Sequence, residues 1–462
     1  MSLSLDFTNM MGAALPHGAG ITAEQLANAS GAFAKAHAHV HAMQAELGFL
    51  TLPVNDALRD ATLAVAEQVR GRFDDVLLLG IGGSALGPIA LRTALRPPAW
   101  NTLSAAARGG APRLHVLDNV DPATITATLG RLALARTLVL VISKSGGTVE
   151  TMAQYLIVRD ALAGAVGEDA ARQHLIFITD PEVGALRKIA RAEGITTLDV
   201  PPNVGGRFSV LSPVGMLPAA LIGIDVKALL AGAADVMTRA ASADLSTNLP
   251  GTFAVLQHIA DTVHGRSVQV LMPYADPLRD LALWFVQLWA ESLGKLRRDG
   301  TPVGPTPLPA VGATDQHSQV QLFMEGPLDK TVTFITVKGR ELEGPIPARH
   351  ADIPELSYLA GHTLGELIDI EQRATAGALA ARGRFNATLA IDTVDAFHLG
   401  ALMQTFALAT AYAGVLYDVN AFNQPGVELG KNFAYAMLGR AGSEQARAEW
   451  DALPKPDPRF RV

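Results

Sequence analysis

The sequence of 462 residues contains no cysteine. This absence excludes disulfide bonds, thiolate nucleophiles and cysteine-based zinc sites. Charge is also sparse, because 18% of the residues are charged, the net charge is −7 and no long block carries one sign. We therefore expect neither nucleic acid nor an anionic membrane surface as a partner.

Long hydrophobic runs are missing as well. No segment has the roughly 18 uninterrupted apolar residues of a membrane span, and the N-terminal stretch "MSLSLDFTNMMGAALPHG" has no basic region followed by an apolar core. These features predict a protein without a membrane span or a signal peptide. A cytoplasmic location is the corresponding prediction.

Apolar residues nevertheless make up 49% of the chain, which favours a compact and well-buried protein. Short apolar runs typical of buried parallel strands lie at 76–80, 113–118, 137–143, 174–180 and 195–200, and again at 267–274, 331–337 and 387–394. Helical stretches separate them. This alternation predicts an α/β fold with doubly wound parallel sheets and helices on both faces. We expect an N-terminal helical segment (1–60), two α/β units (61–240 and 241–415) and a C-terminal helical segment (416–462).

The first apolar run ends in a glycine turn, "LLLGIGGSALGP", which opens a helix. Gly80, Gly82 and Gly83 would let the backbone approach a ligand, and Ser84 adds a hydroxyl group. The turn also fits G-x-G-x-x-A, a dinucleotide pattern, but the next acidic residue, Asp118, lies far beyond the expected spacing of about 20 residues. A tight turn without a ligand is the other interpretation.

The third apolar run ends in a second turn, "SKSGGT". Its three hydroxyl groups and the free amides of the following helix would surround a small dianion such as a phosphate monoester. The alternative is an elaborate helix N-cap, although one cap needs only one hydroxyl group. The predicted phosphate-binding residues of the two turns are Gly83, Ser84, Ser143, Lys144, Ser145 and Thr148.

A strand followed by S-K-S-G-G-T resembles the sugar isomerase (SIS) domains, which bind phosphosugars. "GIGGSALGP" together with "SKSGGTVET" is more specifically similar to the glucose-6-phosphate isomerase family. The resemblance implies two SIS-type, flavodoxin-like αβα sandwich domains with additional C-terminal helices. It also implies reversible aldose–ketose isomerisation of glucose 6-phosphate and fructose 6-phosphate, through ring opening and a cis-enediol, without a metal or cofactor.

The stretch "DLALWFVQLWAESLGKL" (280–296) reads as an amphipathic helix on which Glu291 shares a stripe with Trp284 and Leu288. Partial desolvation raises the pKa of a carboxyl group toward the range of a general base. The alternative is an ordinary surface ion pair with Lys295, four residues on. "WAESLGK" resembles the family's M-E-S-N-G-K motif, which assigns proton transfer between C1 and C2 to Glu291 and a substrate contact to Gln287.

Three further stretches resemble family motifs, although each polar residue alone could be an ordinary surface side chain. "GGRFS" implies that Arg207 stabilises the enediol charge, a task that suits a planar and permanently charged guanidinium. "GATDQH" implies that His317 opens the sugar ring, reaching into the neighbouring subunit's site, and therefore implies a homodimer. "QPGVELGK" implies substrate contacts by Gln424 and Lys431, with Lys431 near the ring oxygen.

A histidine cluster, "KAHAHVHAM", places His37 and His41 on one helical face at metal-ligand spacing, with His39 between them. No acidic residue stands beside them, so a solvated helix is favoured over a metal site. Two other functions stay open. One is an SIS isomerase of another hexose phosphate, such as mannose 6-phosphate, and the other is a non-catalytic phosphosugar-binding regulator. An SIS-containing amidotransferase is excluded, because its glutaminase half requires a cysteine.

Overall fold

Two five-stranded sheets form the centre of the computed structural model, which describes residues 3–340 and 342–462. A two-stranded ribbon accompanies them. The strands are β1 (Leu3–Asp6), β2 (Asp75–Leu79), β3 (Arg113–Leu117), β4 (Thr137–Ser143), β5 (Leu175–Thr179), β6 (Thr196–Asp199), β7 (Val268–Pro273), β8 (Lys295–Leu296), β9 (Pro302–Val303), β10 (Thr306–Pro309), β11 (Lys330–Val337) and β12 (Phe385–Ile391).

Helices connect the strands and cover both sheets. They are α1 (Ala23–Ala42), α2 (Asp56–Val69), α3 (Leu86–Leu95), α4 (Pro122–Leu129), α5 (Val149–Val166), α6 (Glu168–Ala171), α7 (Ala185–Glu193), α8 (Pro213–Leu221), α9 (Val226–Arg239), α10 (Leu249–Thr262), α11 (Arg279–Leu293), α12 (Val320–Glu325), α13 (Pro354–Ser357), α14 (Leu364–Ala381), α15 (Ala396–Leu416), α16 (Glu428–Met437) and α17 (Glu444–Ala452).

The first sheet is entirely parallel, with the strand order β3-β2-β4-β5-β6. Counted within the sheet this is the order 2-1-3-4-5 of flavodoxin-like folds. The strands β2, β4 and β5 are buried along their whole length, as expected of a sheet covered on both faces. The prediction of a doubly wound, flavodoxin-like unit in the first half of the chain is confirmed.

The second sheet has the order β1-β12-β11-β7-β10. Its four strands from the second half of the chain are parallel and repeat the pattern 2-1-3-4. The fifth strand, β1, pairs with β12 in the antiparallel direction. The prediction of a purely helical N-terminal segment is therefore wrong at its start, because residues 3–6 complete the sheet of the second unit.

Helix α15 lies at the centre of the molecule and packs against α9, α10, α1 and α11. Its 21 residues are long and apolar enough to cross a membrane by length and composition, but 89% of the most apolar window is buried inside the protein. The largest hydrophobic core contains residues of both sheets, including Leu78, Ile142 and Leu389, together with Phe406 of α15. The two halves of the chain thus share one core.

Candidate active site

The site begins at the point where the order of the first sheet reverses. In a flavodoxin-like sheet this point lies between the first and third strands, here β2 and β4, and ligands bind outside the carboxyl ends of these strands. Leu79 pairs with Val141, so the two strands end side by side. The two turns that were predicted from the sequence therefore lie next to each other.

Three hydroxyl groups converge in the second turn. Thr148 Oγ1 lies 2.9 Å from Ser143 Oγ and 3.3 Å from Ser145 Oγ, and the two serine oxygens are 3.4 Å apart. Thr148 is the N-cap residue of α5, but its side chain makes no capping hydrogen bond. The helix-cap interpretation of the hydroxyl groups is therefore wrong for Thr148, and the first-turn amides of α5 remain available to an anion.

Lys144 of the same turn has a different contact. Its Nζ donates to the carbonyl oxygen of Pro202, at 2.8 Å. Burial lowers the pKa of Lys144, and the charge of Asp180 opposes this shift. The ammonium group thus links the second turn to the segment that leads to Arg207, and its contact with a phosphate stays a prediction.

The first turn packs closely against the catalytic candidates. A Cβ atom on Gly83 would lie 2.2 Å from the carbonyl oxygen of Gly206, and one on Gly82, at φ +57°, would lie 2.9 Å from Gln287 Nε2. A side chain at Gly83 would clash with backbone atoms, and one at Gly82 would be strained by the positive φ, so the backbone of the turn approaches the Gly206–Arg207 turn and α11 directly. Ser84, which follows Gly83, comes just before α3, whose N-cap, Ala85, offers no side-chain cap.

Helix α11 carries Glu291 as predicted, but it ends earlier than the sequence pattern suggested. It stops at Leu293, so Lys295 lies in β8 instead of on the helix. Lys295 Nζ donates to the carbonyl oxygens of Glu291, at 2.9 Å, and Ser292, at 2.8 Å. The alternative of a Glu291–Lys295 surface ion pair is therefore wrong, because the ammonium group binds the helix end and not the carboxylate.

The carboxylate of Glu291 is held by two other groups. Its Oε1 lies 3.0 Å from Arg207 Nη1, and its Oε2 accepts a hydrogen bond of 3.0 Å from Gln287 Nε2. The Glu291 side chain is 28% exposed, whereas that of Arg207 is 3% exposed. A partly open carboxylate held by two hydrogen-bond donors is oriented and reachable, as a general base requires.

Arg207 is the centre of the hydrogen-bond network. Its Nε donates to Ser292 Oγ at 2.7 Å, and its Nη2 donates to the carbonyl oxygens of Ala421 and Asn423. Its Nη1 reaches Gln424 Oε1, at 3.3 Å, in addition to Glu291. Burial lowers the pKa of Arg207, and the charge of Glu291 opposes this shift. The network brings the predicted residues Arg207, Glu291 and Gln424 together.

Lys295 adds a second positive charge at this place. Burial and the charge of Arg207 lower the pKa of Lys295 to about 8, although Glu291 acts in the opposite direction. Sequence reasoning considered Lys295 only as a surface residue and missed Ser292 altogether. Ser292 is fully buried, and a lone serine on the buried stripe of an amphipathic helix was the available signal.

Two predicted site residues stand apart from this network. His317 is exposed after β10, and no hydrogen bond or ion pair joins it to Arg207 or Glu291 in the part of the chain that the structure describes. The Nζ of Lys431, on α16, lies 2.9 Å from Glu428 Oε1, and its side chain is 47% exposed. The roles of His317 and Lys431 therefore stay predictions.

Of the three histidines on α1, which were predicted to be solvated, only His39 is exposed. His37 and His41 are half-buried, with ring centroids 4.2 Å apart, and they contact the carbonyl oxygen of Ala240 and the hydroxyl group of Tyr412. They serve the packing of α1 on α15. Among residues 3–340 and 342–462 no group of three histidine, cysteine or acidic side chains could hold a metal ion.

The sequence and the fold are similar to those of known proteins. A family model for phosphoglucose isomerase matches residues 64–455. The chain is 48% identical over 397 residues to a glucose-6-phosphate isomerase from Rubrobacter xylanophilus, covering 86% of this chain and 90% of that protein. It is 45% identical over 419 residues to one from Carboxydothermus hydrogenoformans, covering 90% and 89%.

Two solved structures are similar as well. A hypothetical protein from Thermus thermophilus superimposes with a TM-score of 0.85 at 38% identity, covering 95% of this chain and 100% of that one. A glucose-6-phosphate isomerase from Chlamydia trachomatis superimposes with a TM-score of 0.71 at 24% identity, covering 86% of this chain and 77% of that one. The second likeness concerns the fold alone.

Proposed function

The chain belongs to the phosphoglucose isomerase family, and we propose that it isomerises glucose 6-phosphate to fructose 6-phosphate at the network around Arg207 and Glu291. It is therefore an aldose–ketose isomerase, with a place in glycolysis and gluconeogenesis. The observation that carries the assignment of this site is the Arg207–Glu291 pair, which lies next to the glycine turn before α3, because Gly83 packs against Gly206 and Gly82 against Gln287.

The phosphate group of the substrate is placed between the two turns. Ser143, Ser145 and Thr148 present converging hydroxyl groups, and the amides at the start of α5 add donors and a favourable helix dipole. Ser84 and the backbone of Gly83 would bind from the adjacent turn. In this arrangement a six-carbon chain extends from the turns toward Gln287 and Glu291, because Gly82 touches Gln287.

Glu291 is the base in this proposal. Its carboxylate takes the proton from C2 and returns it to C1, through a cis-enediol. Arg207 stabilises the negative charge that develops on the enediol oxygens, a role that fits a buried guanidinium with a fixed orientation. The buried Oε1 of Gln287 has no hydrogen-bond donor among the described residues, so it can accept from a sugar hydroxyl group.

Ring opening is assigned to His317, assisted by Lys431, and His317 is proposed to act in the site of a second subunit. Its exposure supports this arrangement, because the side chain is free to enter a partner. The hairpin of α16 and α17 also supports a homodimer, since it exposes a set of large apolar residues that a second copy could cover. These residues are Val427, Leu429, Met437, Leu438 and Leu453.

A cytoplasmic location belongs to the same proposal, because the charge of a sugar phosphate keeps the substrate from crossing membranes. The activity itself is tested by incubating the pure protein with fructose 6-phosphate and detecting glucose 6-phosphate through a coupled dehydrogenase. Mannose 6-phosphate in a parallel assay reports on the preference among hexose phosphates. A protein that binds these sugars without turnover would be a phosphosugar-binding regulator instead of an enzyme.

The role of Glu291 is tested by Glu291→Gln, which keeps the shape of the side chain and removes the base. Positioned acid–base catalysis contributes about 10²–10⁴-fold, so kcat should fall by at least about 10²-fold with a modest change in KM. Glu24→Gln, at an exposed position of α1 away from the network, is the matched control and should leave kcat and KM unchanged. Near-normal turnover of Glu291→Gln would remove Glu291 from its role.

Mixing two inactive variants tests the shared site. In a dimer of one Glu291→Gln subunit and one His317→Ala subunit, one site has lost both groups and the other has kept both. Random mixing should therefore restore about a quarter of the wild-type activity. A tag on one variant verifies that the subunits have exchanged. If they have exchanged and no activity returns, His317 does not act in the site of the second subunit.

A further inference from the structure

A second cluster of cationic side chains lies at the opposite end of the helix pair that carries the active site. Helices α3 and α11 pack against each other, with Gly82 next to Gln287 at one end and Thr93 bonded to Asp280 at the other. The two helices therefore run antiparallel. From Arg279 to Glu291 α11 rises about 18 Å, so the distal end is well separated from the base.

A cleft of about 410 Å³ opens at this distal end. The ionisable groups in its wall are three guanidinium groups and one carboxylate, from Arg92, Arg96, Arg279 and Asp276. Arg279 Nη2 lies 3.2 Å from Asp276 Oδ1, so this carboxylate neutralises one of the three cations. The other two positive charges, of Arg92 and Arg96 at the C-terminal end of α3, have no carboxylate partner in the wall.

Arg96 is the less compensated of these two. Its Nε is buried without a hydrogen-bond partner, and its guanidinium forms no ion pair with a carboxylate among the described residues. Burial alone lowers the pKa of Arg96. The Trp100 ring, 5.3 Å from its Cζ, orients the group but supplies no hydrogen-bond acceptor. A desolvated cation of this kind is costly unless an anion neutralises it.

Arg92 lies one helical turn before Arg96 on the same side of α3. Its Nη1 donates to the carbonyl oxygen of Leu114, at 3.2 Å. Burial lowers the pKa of Arg92, and the charges of Asp280 and Asp118 oppose this shift. With one nitrogen bonded to a carbonyl group, the planar fork of Arg92 keeps further donors for a ligand in the cleft.

We propose that this distal cleft is a binding site for a small phosphate-bearing anion, held by Arg92 and Arg96 and distinct from the active site. Guanidinium forks match the geometry of phosphate oxygens. The cleft has the size of a site for a small molecule. Inorganic phosphate is the minimal ligand of this chemistry, and a phosphorylated metabolite would add contacts to the uncharged part of the wall.

The test is a calorimetric titration of the full chain with inorganic phosphate. The wild type should bind two phosphates per chain. Arg96→Met should weaken one of the two by roughly 10–100-fold, which corresponds to the loss of a charge-assisted hydrogen bond. Thr148→Val should weaken the other one. The two variants thus separate a failure of the distal site from a failure of the proposed active site.

A variant that should strengthen distal phosphate binding distinguishes a loss of ligand contacts from a general structural effect. Asp276 is 75% exposed in its side chain, so Asp276→Asn should leave the fold intact and bind the distal phosphate about threefold more tightly, because a repelling carboxylate is lost. Arg298→Met is the matched control, since the side chain of Arg298 is 92% exposed and lies elsewhere, beside Asp418. It should change neither affinity.

Titration with glycerol 2-phosphate distinguishes the two sources of the ligand. Tighter distal binding than that of inorganic phosphate would identify a phosphorylated metabolite, and equal or weaker binding would identify free phosphate. The proposal is overturned if the wild type binds only the phosphate that Thr148→Val weakens. It is also overturned if Arg96→Met binds two phosphates like the wild type, or if Asp276→Asn binds the distal phosphate more weakly.

Discussion

Replacing Arg207 by lysine keeps the positive charge of the proposed active site but removes the planar fork. In the structure the guanidinium group makes five hydrogen bonds, to Ser292, Glu291, Gln424 and the carbonyl oxygens of Ala421 and Asn423. An ammonium group has three donors. At least two of the five acceptors must therefore lose their partner in Arg207→Lys.

The cost of this substitution follows from the burial of the network. Arg207 is 3% exposed, and two of its five acceptors, Ser292 Oγ and the carbonyl oxygen of Ala421, belong to buried residues, so water cannot replace the donors to these two without rearrangement. Each buried acceptor left unpaired costs about 1–3 kcal/mol. Two of them give a decrease of about 2–6 kcal/mol in the free energy of unfolding. Because the charge now lacks a fixed orientation, we also expect kcat to fall by about 10²-fold.

Two measurements check this prediction. Urea unfolding followed by circular dichroism gives the change in the free energy of unfolding, and the coupled dehydrogenase assay gives kcat and KM. Arg298→Lys, at an exposed arginine, is the control and should change neither. If Arg207→Lys unfolds at the urea concentration of the wild type and turns over at a similar rate, the charge alone is sufficient and the reasoning from the fork is refuted.

Three further outcomes are expected. The pKa of Lys295 is about 8 instead of 10.5, so the ammonium group loses its proton as the pH rises through 8, and kcat/KM of the wild type should decline above that pH. Lys295→Met should be less active at pH 7 and should not show this decline at alkaline pH. Thr148→Val should raise KM by roughly 10–100-fold and change kcat little, because it removes one hydroxyl group of the phosphate turn. Gly83→Ala should lower both the midpoint of thermal unfolding and the activity, because the added Cβ would lie 2.2 Å from the carbonyl oxygen of Gly206. Gly164→Ala, in α5, is the control and should lower neither, because its added Cβ would have no atom of another element within 4 Å.

The central strands could be predicted from the sequence because a parallel strand buried on both faces is a continuous apolar run. The two edge strands of the second sheet, β1 and β10, do not have this property. β1 is only four residues long, "LSLD", and alternates between apolar and polar residues. β10, "TPLP", contains Pro307 and Pro309, which a sheet tolerates at its edge, and β10 is the last strand of its sheet. Short edge strands with such sequences resemble loops.

The site was predictable to the extent that its residues are adjacent in the sequence. The three hydroxyl groups of the second turn belong to residues 143, 145 and 148, and their convergence follows from the turn itself. The contacts of Arg207 with Ala421 and Asn423 join residues more than 200 positions apart, and they involve backbone carbonyl groups that have no signature in the sequence. The position of Arg207 could therefore be predicted only from resemblance to a family.

The hydrogen bonds of Arg207 are divided between its nitrogens in a way that bears on catalysis. Nε and Nη2 donate to Ser292 and to two backbone carbonyl groups, none of which is proposed to bind the substrate. Nη1 contacts Glu291 and Gln424, which are both proposed to do so. One edge of the guanidinium is thus fixed by the protein, and the other is paired with groups that a sugar would engage. In the proposed reaction, Nη1 would exchange the Glu291 carboxylate for the carbonyl oxygen of the opened sugar without any movement of the anchored edge. The same exchange would free the carboxylate to accept the proton from C2, and Nη1 would then face the oxygen on which the enediol charge develops.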